Sequence, residues 1–362
     1  MSRARTRTTL AAAAAALVCT AGVFAATAAD AAGTATGTSI VPPPGAPTAY
    51  GYTALIRHGS AADDHQGQLV LRAPDGRFST IGAVPDFVGV EDVSTNARTV
   101  VIADNSGAPG SLALSIWDTE SRKPTTLKVA SGAQARLVKD GIVVSRYGKS
   151  AQLYSRAGTL LRTYTATTGS TLSASADGTR IMGEDSSRRV VVLDVATGAM
   201  LRAVPVPSGM AGCQPSYHFD SSSFTMDCYK RVDVAPQTVS AYRTGYTAAV
   251  ATTRLMSFDG GGNVRKVDGG MLIFDKGAGS PCPEPYVLDI AGVGLPLKFG
   301  DYSWATAGAY GRVVDLGSFS GCGDVTGALV RRDIASGAET RIAGRGTAIG
   351  GFVTAAKTVD GT

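Results

Sequence analysis

The chain carries little charge, and part of what it has is concentrated at its start. Only 17% of the 362 residues are charged, and the formal net charge is +5. Arg3, Arg5 and Arg7 lie in the first few residues, so the rest of the chain is nearly neutral. No later run of Lys or Arg could follow a phosphate backbone. The composition therefore argues against nucleic acid as a partner.

The chain also lacks the pattern of an amphipathic helix. No stretch repeats its apolar residues at helical spacing for long enough to predict one. Val, Thr, Ala and Gly are abundant instead, in short runs bounded by turn residues. Beyond the N-terminal segment, no apolar run approaches the length that spans a membrane. We therefore predict an all-β protein without stable membrane insertion after that segment is removed.

Motifs for covalent or metal chemistry are missing too. There is no Cys-x-x-Cys pair, and the cysteine spacings fit no zinc framework. The nearest approach to a Gly-x-Ser-x-Gly elbow, "GSFSG", has Phe319 where the serine would stand. The glycine-rich "FDGGGN" (258–263) precedes no predicted helix that could bind phosphate, so we interpret it as a loop. The sequence therefore predicts no catalytic residue, no metal site and no cofactor.

The N-terminal segment has the layout of a Sec-type signal peptide. Its separated arginines are followed by an apolar run over residues 10–26 and by small-residue cleavage sites at 26–28 and 29–31. We predict a signal peptide over residues 1–31 and a flexible Gly, Thr and Pro-rich leader over residues 32–48. The protein would then be secreted. An uncleaved membrane anchor is the alternative.

The rest of the chain contains a repeat of short strands. Residues 171–206 divide into four β-like runs, here named a to d, separated by turn signals. A glycine that lets strand c turn into strand d recurs at Gly76, Gly158, Gly198, Gly245, Gly292 and Gly337. One further copy, with Trp117-Asp118 at the end of its c strand, lacks the glycine. The mean spacing is about 43 residues, which matches the ~40–45 residues of a propeller blade.

The best copy, "SASADGTRIMGEDSSRRVVVLDVATG", resembles the TolB-type, WD40-like β-propeller repeat. That family has a Ser-x-Asp-Gly-Lys/Arg turn, an apolar strand, and a strand that ends in Asp-x-x-Thr-Gly. Trp117-Asp118 resembles the WD dipeptide at its usual place. The seven spaced turns predict seven blades, and the resemblance implies that residues 49–362 form a single β-propeller, TolB-like but without the amino-terminal domain of TolB. Likeness of fold does not by itself give a function.

The two ends of the chain are expected to meet in the first blade. The C-terminal "FVTAAKTVDGT" matches an a strand followed by a turn at Asp360-Gly361, whereas the segment "YGYTALIRHG" suits strand b. The first blade would take its a strand from the C-terminus and its other strands from the N-terminus. Such pairing closes the ring and removes exposed sheet edges.

Four cysteines lie beyond the signal, in an environment that we expect to be oxidising. Cys213 and Cys228 lie equally far from the centre of a predicted hairpin, so antiparallel pairing places them opposite each other. Cys282 and Cys322 fall in the b-to-c loops of the sixth and seventh blades, which are neighbours on one face. We therefore predict the disulfides 213–228 and 282–322. The alternatives are free structural thiols or metal ligation.

The long b-to-c loops of the sixth, seventh, first and second blades would adjoin in a closed ring. The candidate ligand-binding residues in them are His58, Asp63, Asp64, His65 and Phe319. Pro281, Pro283 and Pro285 belong to the same face. The predicted function is non-enzymatic binding of an extracellular protein, peptide or glycan by a monomer.

Two other functions stay open at this point. One is an enzyme, a lyase or hydrolase with a site over the central channel that uses His58, His65 or His218. The other is an envelope scaffold. For His218, which follows Tyr217 in a predicted a strand, packing beside the channel is the simpler interpretation.

Overall fold

A computed structural model describes residues 52–58, 66–73, 76–85, 88–94, 96–104, 110–169, 171–230, 238–259, 261–267, 271–276, 284–289, 297–298, 306–310, 313–319, 326–333 and 336–354. The predicted signal peptide and leader lie outside these residues. So do Asp63, Asp64, His65, Cys282 and Cys322.

The described residues form 27 β-strands and contain no helix. The first three strands are β1 (Thr53–His58), β2 (Gln66–Arg72) and β3 (Phe78–Pro85). The second sheet contains β4 (Val88–Val93), β5 (Thr99–Asp104), β6 (Ser111–Asp118) and β7 (Lys123–Ala130). The third contains β8 (Gln134–Val138), β9 (Gly141–Arg146), β10 (Lys149–Tyr154) and β11 (Leu160–Tyr164).

The fourth sheet contains β12 (Leu172–Ala174), β13 (Arg180–Glu184), β14 (Val190–Asp194) and β15 (Met200–Val204). The fifth contains β16 (Gly212–Asp220), β17 (Ser223–Tyr229), β18 (Thr238–Gly245) and β19 (Thr253–Asp259). The sixth contains β20 (Gly261–Val267), β21 (Met271–Lys276), β22 (Glu284–Asp289) and β23 (Leu297–Lys298). The last strands are β24 (Thr306–Tyr310), β25 (Val313–Phe319), β26 (Thr326–Asp333) and β27 (Glu339–Thr354).

The second to sixth sheets are four-stranded antiparallel meanders, in which each strand pairs with the next along the chain. The remaining strands form one seven-stranded sheet in the order β24-β25-β26-β27-β1-β2-β3, here called the shared sheet. Its central strand, β27, pairs with β26 and also with β1, where Thr354 lies opposite Thr53 and Phe352 opposite Leu55. The C-terminal segment therefore pairs with the N-terminal strand. The predicted turn at Asp360-Gly361 lies outside the described residues.

Several middle strands, among them β5, β9 and β14, are buried on both sides, which explains their continuous apolar sequences. In β14, for example, Val190, Val191, Val192 and Leu193 are all fully buried. The apolar cores lie between consecutive sheets. One joins Ile56 and Leu69 of the shared sheet to Ile102 and Trp117 of the second, and similar cores join the second to the third, the third to the fourth and the fourth to the fifth sheet.

The first strands of consecutive sheets also lie against one another. β4 contacts β8, β8 contacts β12, β12 contacts β16, β16 contacts β20 and β20 contacts β24. The series continues from β24 to β27 and from β27 to β4. Residues of these strands are therefore near each other although they are distant in sequence.

A buried polar network ties the start of the chain to its end. The Arg331 guanidinium donates two hydrogen bonds to the Asp315 carboxylate, from Nε to Oδ1 at 2.8 Å and from Nη2 to Oδ2 at 3.0 Å. The Thr53 hydroxyl donates to the same carboxylate at 3.1 Å. All three residues are buried. Because a buried charge is costly without its partner, this network favours the arrangement that keeps β1 beside β25 and β26.

Most of the glycines predicted for c-to-d turns have the required backbone. Gly76, Gly158, Gly198 and Gly337 have φ between 71° and 92°, and Gly292 lies outside the described residues. In the copy without a glycine, Arg122 adopts the same left-handed conformation, with φ 58°.

The predicted turn at Gly245 is wrong. Gly245 is the last residue of β18. The next residue, Tyr246, donates its N–H to Ser222 O, as Val195, which follows Asp194, donates to Thr179 O. Gly245 is therefore equivalent to the aspartate that ends strand c, and the turn follows it. The prediction failed because the fifth sheet has a longer c-to-d connection, over residues 246–252.

The predicted loop at 258–263 is also wrong. Phe258 and Asp259 end β19, and Gly261 to Asn263 begin β20. The glycines do not prevent strand formation because Gly261 and Gly262 pair with Lys276 and Asp275 of β21. A short connection between two sheets replaces the loop that the glycine run suggested.

Candidate functional site

Two of the predicted contact residues occupy strand ends in the shared sheet. His58 ends β1, opposite Gly67, and Phe319 ends β25, opposite Gly327. The segments that follow them, 59–65 and 320–325, lie outside the described residues together with Asp63, Asp64 and His65. Of the prolines, Pro285 pairs with Asp275 in the sixth sheet, and Pro281 and Pro283 lie outside the described residues.

The predicted disulfide between Cys213 and Cys228 is confirmed. The two residues are directly opposite each other in the β16–β17 hairpin, and their sulfurs are bonded. Both cysteines are buried within the core between the fourth and fifth sheets. The bond therefore links the first two strands of the fifth sheet. The predicted 282–322 disulfide lies outside the described residues.

His218 lies in β16, the first strand of the fifth sheet, as predicted. It is partly buried and stands in register with Phe224 of β17. The first strands of the sheets, which contact one another in series, are here called the wall of first strands. Within it, the Thr171 hydroxyl beside β12 donates to the Gln214 amide oxygen of β16 at 3.3 Å. The Thr171–Gln214 hydrogen bond joins the fourth and fifth sheets through polar groups.

A charged cluster on this wall was missed by the sequence analysis. Glu91 and Asp92 lie in β4, and Arg136 lies in the adjacent first strand, β8. The Arg136 guanidinium is 3.9 Å from the Glu91 carboxylate and donates to the Glu91 carbonyl at 3.3 Å. The Asp92 carboxylate accepts the N–H of Leu137 at 2.8 Å and that of Val93 at 2.9 Å.

The cluster combines an anchored carboxylate with an accessible ion pair. The bond from Leu137 to Asp92 holds β4 against β8, whereas the Glu91 and Arg136 side chains keep 27% and 32% of their surface exposed. Burial raises the pKa of the Glu91 carboxyl, and Arg136 partly opposes that change. The pKa of Asp92 is raised for the same reason, again against Arg136.

Such a cluster can perform two kinds of chemistry. The exposed guanidinium and carboxylate can together hold a polar ligand by complementary hydrogen bonds. A carboxyl with a raised pKa can also exchange a proton nearer to neutral pH than usual. The sequence does contain a signal for it, the acidic pair in "VGVEDV", which interrupts an otherwise apolar strand. Arg136 becomes its neighbour only through contact between sheets.

Metal ligands are not grouped in the part of the chain that the structure describes. No three His, Cys, Asp or Glu side chains lie together there as a possible metal site. A search of the same residues found no helix long and apolar enough to cross a membrane.

Comparison with known proteins gives a likeness of fold. No protein-family model matches the chain, and no curated protein matches it. The crystal structure of TolB from Acinetobacter baumannii is similar with a TM-score of 0.52 and 12% identity, over 85% of this chain and 67% of that one.

Two further solved structures are similar at lower scores. The dihydro-heme d1 dehydrogenase NirN matches with a TM-score of 0.49 and 16% identity, over 89% of this chain and 78% of that one. A prolyl endopeptidase matches with a TM-score of 0.48 and 12% identity, over 81% of this chain and 50% of that one. Together with its antiparallel four-stranded sheets, the likeness to TolB shows that this chain has a β-propeller fold similar to that of TolB.

Proposed function

We propose that the protein is an exported, non-enzymatic, seven-bladed propeller that binds a protein, peptide or glycan through its b-to-c loops. The predicted contact residues are His58, Asp63, Asp64, His65 and Phe319. Binding would follow from a rigid ring that displays loops, without a covalent step.

The observation that carries this proposal is that the shared sheet contains strands from both ends of the chain. The β1–β2 and β25–β26 hairpins belong to one continuous sheet, although they come from opposite ends of the chain. His58 and Phe319 end the strands that precede the two connecting segments. Asp63, Asp64 and His65 lie within the first of these segments. One sheet thus holds the strands that flank both connecting segments, as the proposed composite surface requires.

Seven blades are favoured by the contacts between sheets. The five four-stranded sheets count as five blades, and the shared sheet counts as two blades joined by β27. The contacts of the seven first strands run from each sheet to the next and return from β27 to β4. The Asp315 network adds a second link between the first and last blades. These contacts support a closed ring.

Export is supported by the disulfide. A buried bond between Cys213 and Cys228 is typical of proteins that fold in an oxidising compartment. It agrees with the predicted signal peptide and with an extracellular or envelope location.

Truncation tests the ring. Deleting residues 351–362 removes the β27 segment that pairs with residues 53–56 of β1, so we expect a loss of several kcal/mol in the free energy of unfolding by urea. Deleting only 355–362 is the matched control, because it leaves this pairing in place and should cost less. Equal losses from the two deletions would argue against closure through β27.

Affinity capture tests the binding function. The purified protein is used to recover partners from the envelope and culture medium of the producing cells. Alanine at His58, Asp63, Asp64, His65 and Phe319 should abolish recovery of a specific partner. The control is Tyr147→Ala, which removes an aromatic side chain, 76% exposed, from a turn of the third sheet. If the five-alanine variant retains every partner, the loop assignment is wrong.

The charged cluster favours a second candidate, a lyase or hydrolase with its site on the wall of first strands. Here Glu91 would exchange the proton and Arg136 would hold an anionic or polar group of the substrate. The captured ligand is incubated with the protein and its mass is followed. Cleavage that is lost in Glu91→Gln while binding persists would favour the enzyme, and an intact ligand would favour the binding protein.

A further inference from the structure

Large apolar side chains are exposed at equivalent positions of three sheets. Phe78, Leu160 and Met200 each stand two residues after a left-handed glycine, at the start of strand d. They are 41%, 49% and 50% exposed, and the following Leu161 and Leu201 are 51% and 44% exposed. Among the residues whose side-chain exposure the structure describes, Tyr147 is the other large hydrophobic residue with comparable exposure. The exposure is therefore a repeated feature of one part of the molecule.

The exposed apolar side chains of the third and fourth sheets stand at the starts of two strands, β11 and β15, that are linked by a hydrogen-bonded arginine. Arg162, which follows Leu161 in β11, donates to the carbonyls of Ala196 and Thr197 at 2.6 and 2.9 Å. That turn leads directly into β15, which begins at Met200. The Arg162 contacts hold the starts of β11 and β15 together. The exposed apolar residues at these two strand starts, Leu160, Leu161, Met200 and Leu201, are here called the apolar strip.

A basic cleft lies beside this strip, at the seam between the second and third sheets. Its volume is about 210 Å³, and it is lined by Thr99, Ile116, Trp117, Asp118, Lys123, Thr125, Arg156 and Ala157. Arg156 and Ala157 belong to the turn that leads into Leu160, so the chain passes directly from the cleft to the strip. Within the described chain, the Lys123 and Arg156 side chains make no hydrogen bond or ion pair. The Asp118 carboxylate accepts hydrogen bonds from the N–H groups of Ser121 and Glu120.

We infer that the strip and the cleft dock the protein on an anionic lipid surface. Exposed aliphatic side chains next to unpaired cations have the composition of a peripheral membrane contact. The strip would enter the boundary between headgroups and acyl chains. Lys123 and Arg156 would bind headgroup phosphates, which are complementary to them in charge. This interaction lies beyond the proposed binding through the b-to-c loops and uses other residues.

Vesicle sedimentation tests the inference. The purified protein is mixed with vesicles of phosphatidylcholine alone or of equal parts phosphatidylglycerol and phosphatidylcholine. We expect binding to the anionic vesicles only. Lys123→Ala/Arg156→Ala should weaken it about 25-fold, from roughly fivefold for each charge. Leu160→Ser/Leu161→Ser should weaken it roughly tenfold or more.

The matched control is Tyr147→Ser/Lys149→Ala. It removes one exposed apolar side chain and one exposed cation from another turn of the third sheet, and it should bind like the parent. The N-terminal segment is the same in all variants, so it cannot account for a difference between them. A thermal unfolding scan of each variant shows that it is folded.

Three results would overturn the inference. One is no binding of the parent protein to the anionic vesicles. Another is binding that the strip and cleft variants do not weaken. The third is binding of inorganic phosphate that depends on Lys123 and Arg156 without any binding to vesicles, which would identify the cleft as a site for a soluble anion.

Discussion

The second and fourth sheets form the same two turns from different residues. Between strands a and b of the fourth sheet, the Ser175 hydroxyl accepts the N–H of Arg180 at 2.9 Å. The Asp177 carboxylate accepts the N–H of Thr179 at 3.0 Å. Gly178 supplies the left-handed residue, with φ 66°. This is the turn that the repeat motif predicts.

The second sheet reproduces this turn without its signature. The Ser94 hydroxyl accepts the N–H of Thr99 at 2.9 Å, and the Asn96 amide oxygen accepts the N–H of Arg98 at 3.2 Å. Ala97 stands in place of the glycine, with φ 56°. A residue with a Cβ atom therefore occupies the left-handed backbone conformation, which costs about 1–2 kcal/mol.

The turns between strands c and d differ in the same way. Asp194 accepts the N–H and the hydroxyl of Thr197, each at 2.7 Å, and Gly198 completes the turn. Asp118 accepts the N–H of Ser121 at 2.7 Å, but Arg122 completes its turn. Short polar side chains that accept backbone N–H groups thus define both turns, and glycine lowers the strain.

Alanine at Gly178 should have the largest effect on this comparison. An added Cβ would lie 2.4 Å from the backbone nitrogen of Lys139, which itself donates to Gly178 O. We expect a loss of about 3 kcal/mol in the free energy of unfolding, because the clash adds to the left-handed strain. Urea denaturation measures it.

Gly110 provides the control for this substitution. It has φ 91° and open space where a Cβ would be added. Gly110→Ala should therefore cost only the conformational term, about 1 kcal/mol. If both substitutions cost the same, the contact with Lys139 is not what requires glycine in the fourth sheet.

Asp194→Ala should cost about 1 kcal/mol, because it removes the acceptor of two hydrogen bonds at an exposed turn. The Thr197 hydroxyl holds the pKa of Asp194 below its ordinary value of 3.8. The stabilising contribution is therefore complete above that value and is lost as the pH falls below it. The difference between parent and variant should shrink in acid, and a difference that persists below the lowered pKa would contradict this account.

Glu91→Gln should reveal the opposite pH dependence in the second sheet. Burial raises the pKa of Glu91 above its ordinary value of 4.5, so the native state disfavours the ionised form. The parent should lose stability as the pH rises from 4.5 through the raised value, and the variant should lose less, because it keeps Asp92, whose pKa is also raised, but lacks the Glu91 carboxyl. Urea unfolding of both proteins across this interval measures the change. Parallel curves would mean that Glu91 does not titrate differently in the folded state.

The parts of the fold that could be predicted from the sequence are those set by a local requirement of the backbone. Glycine spacing located four of the c-to-d turns, at Gly76, Gly158, Gly198 and Gly337, because a left-handed residue is a local requirement. It misplaced Gly245, since the length of the following connection has no local signal. Hairpin symmetry gave the 213–228 disulfide for a related reason, because antiparallel register depends only on the position of the turn.

The candidate site was less accessible. Glu91 and Arg136 become neighbours through packing of β4 on β8, and no local pattern links residues of different sheets. The Asp315 network has the same origin, because Thr53 and Asp315 are 262 residues apart. The sequence does show that charged residues interrupt apolar strands at these positions. It does not show which of them meet.

Ala97→Gly is the smallest test, and it bears most directly on the comparison. The substitution relieves the left-handed strain at φ 56° but increases the entropy of the unfolded chain, so the two effects partly cancel. It also removes a methyl group from the core between the shared and second sheets. We expect a net change of at most about 0.5 kcal/mol in either direction.

By contrast, Ser94→Ala leaves the N–H of Thr99 without its acceptor and should cost about 1 kcal/mol. If glycine at 97 stabilised the protein by more than the serine contributes, glycine rather than the polar side chains would be what holds these turns.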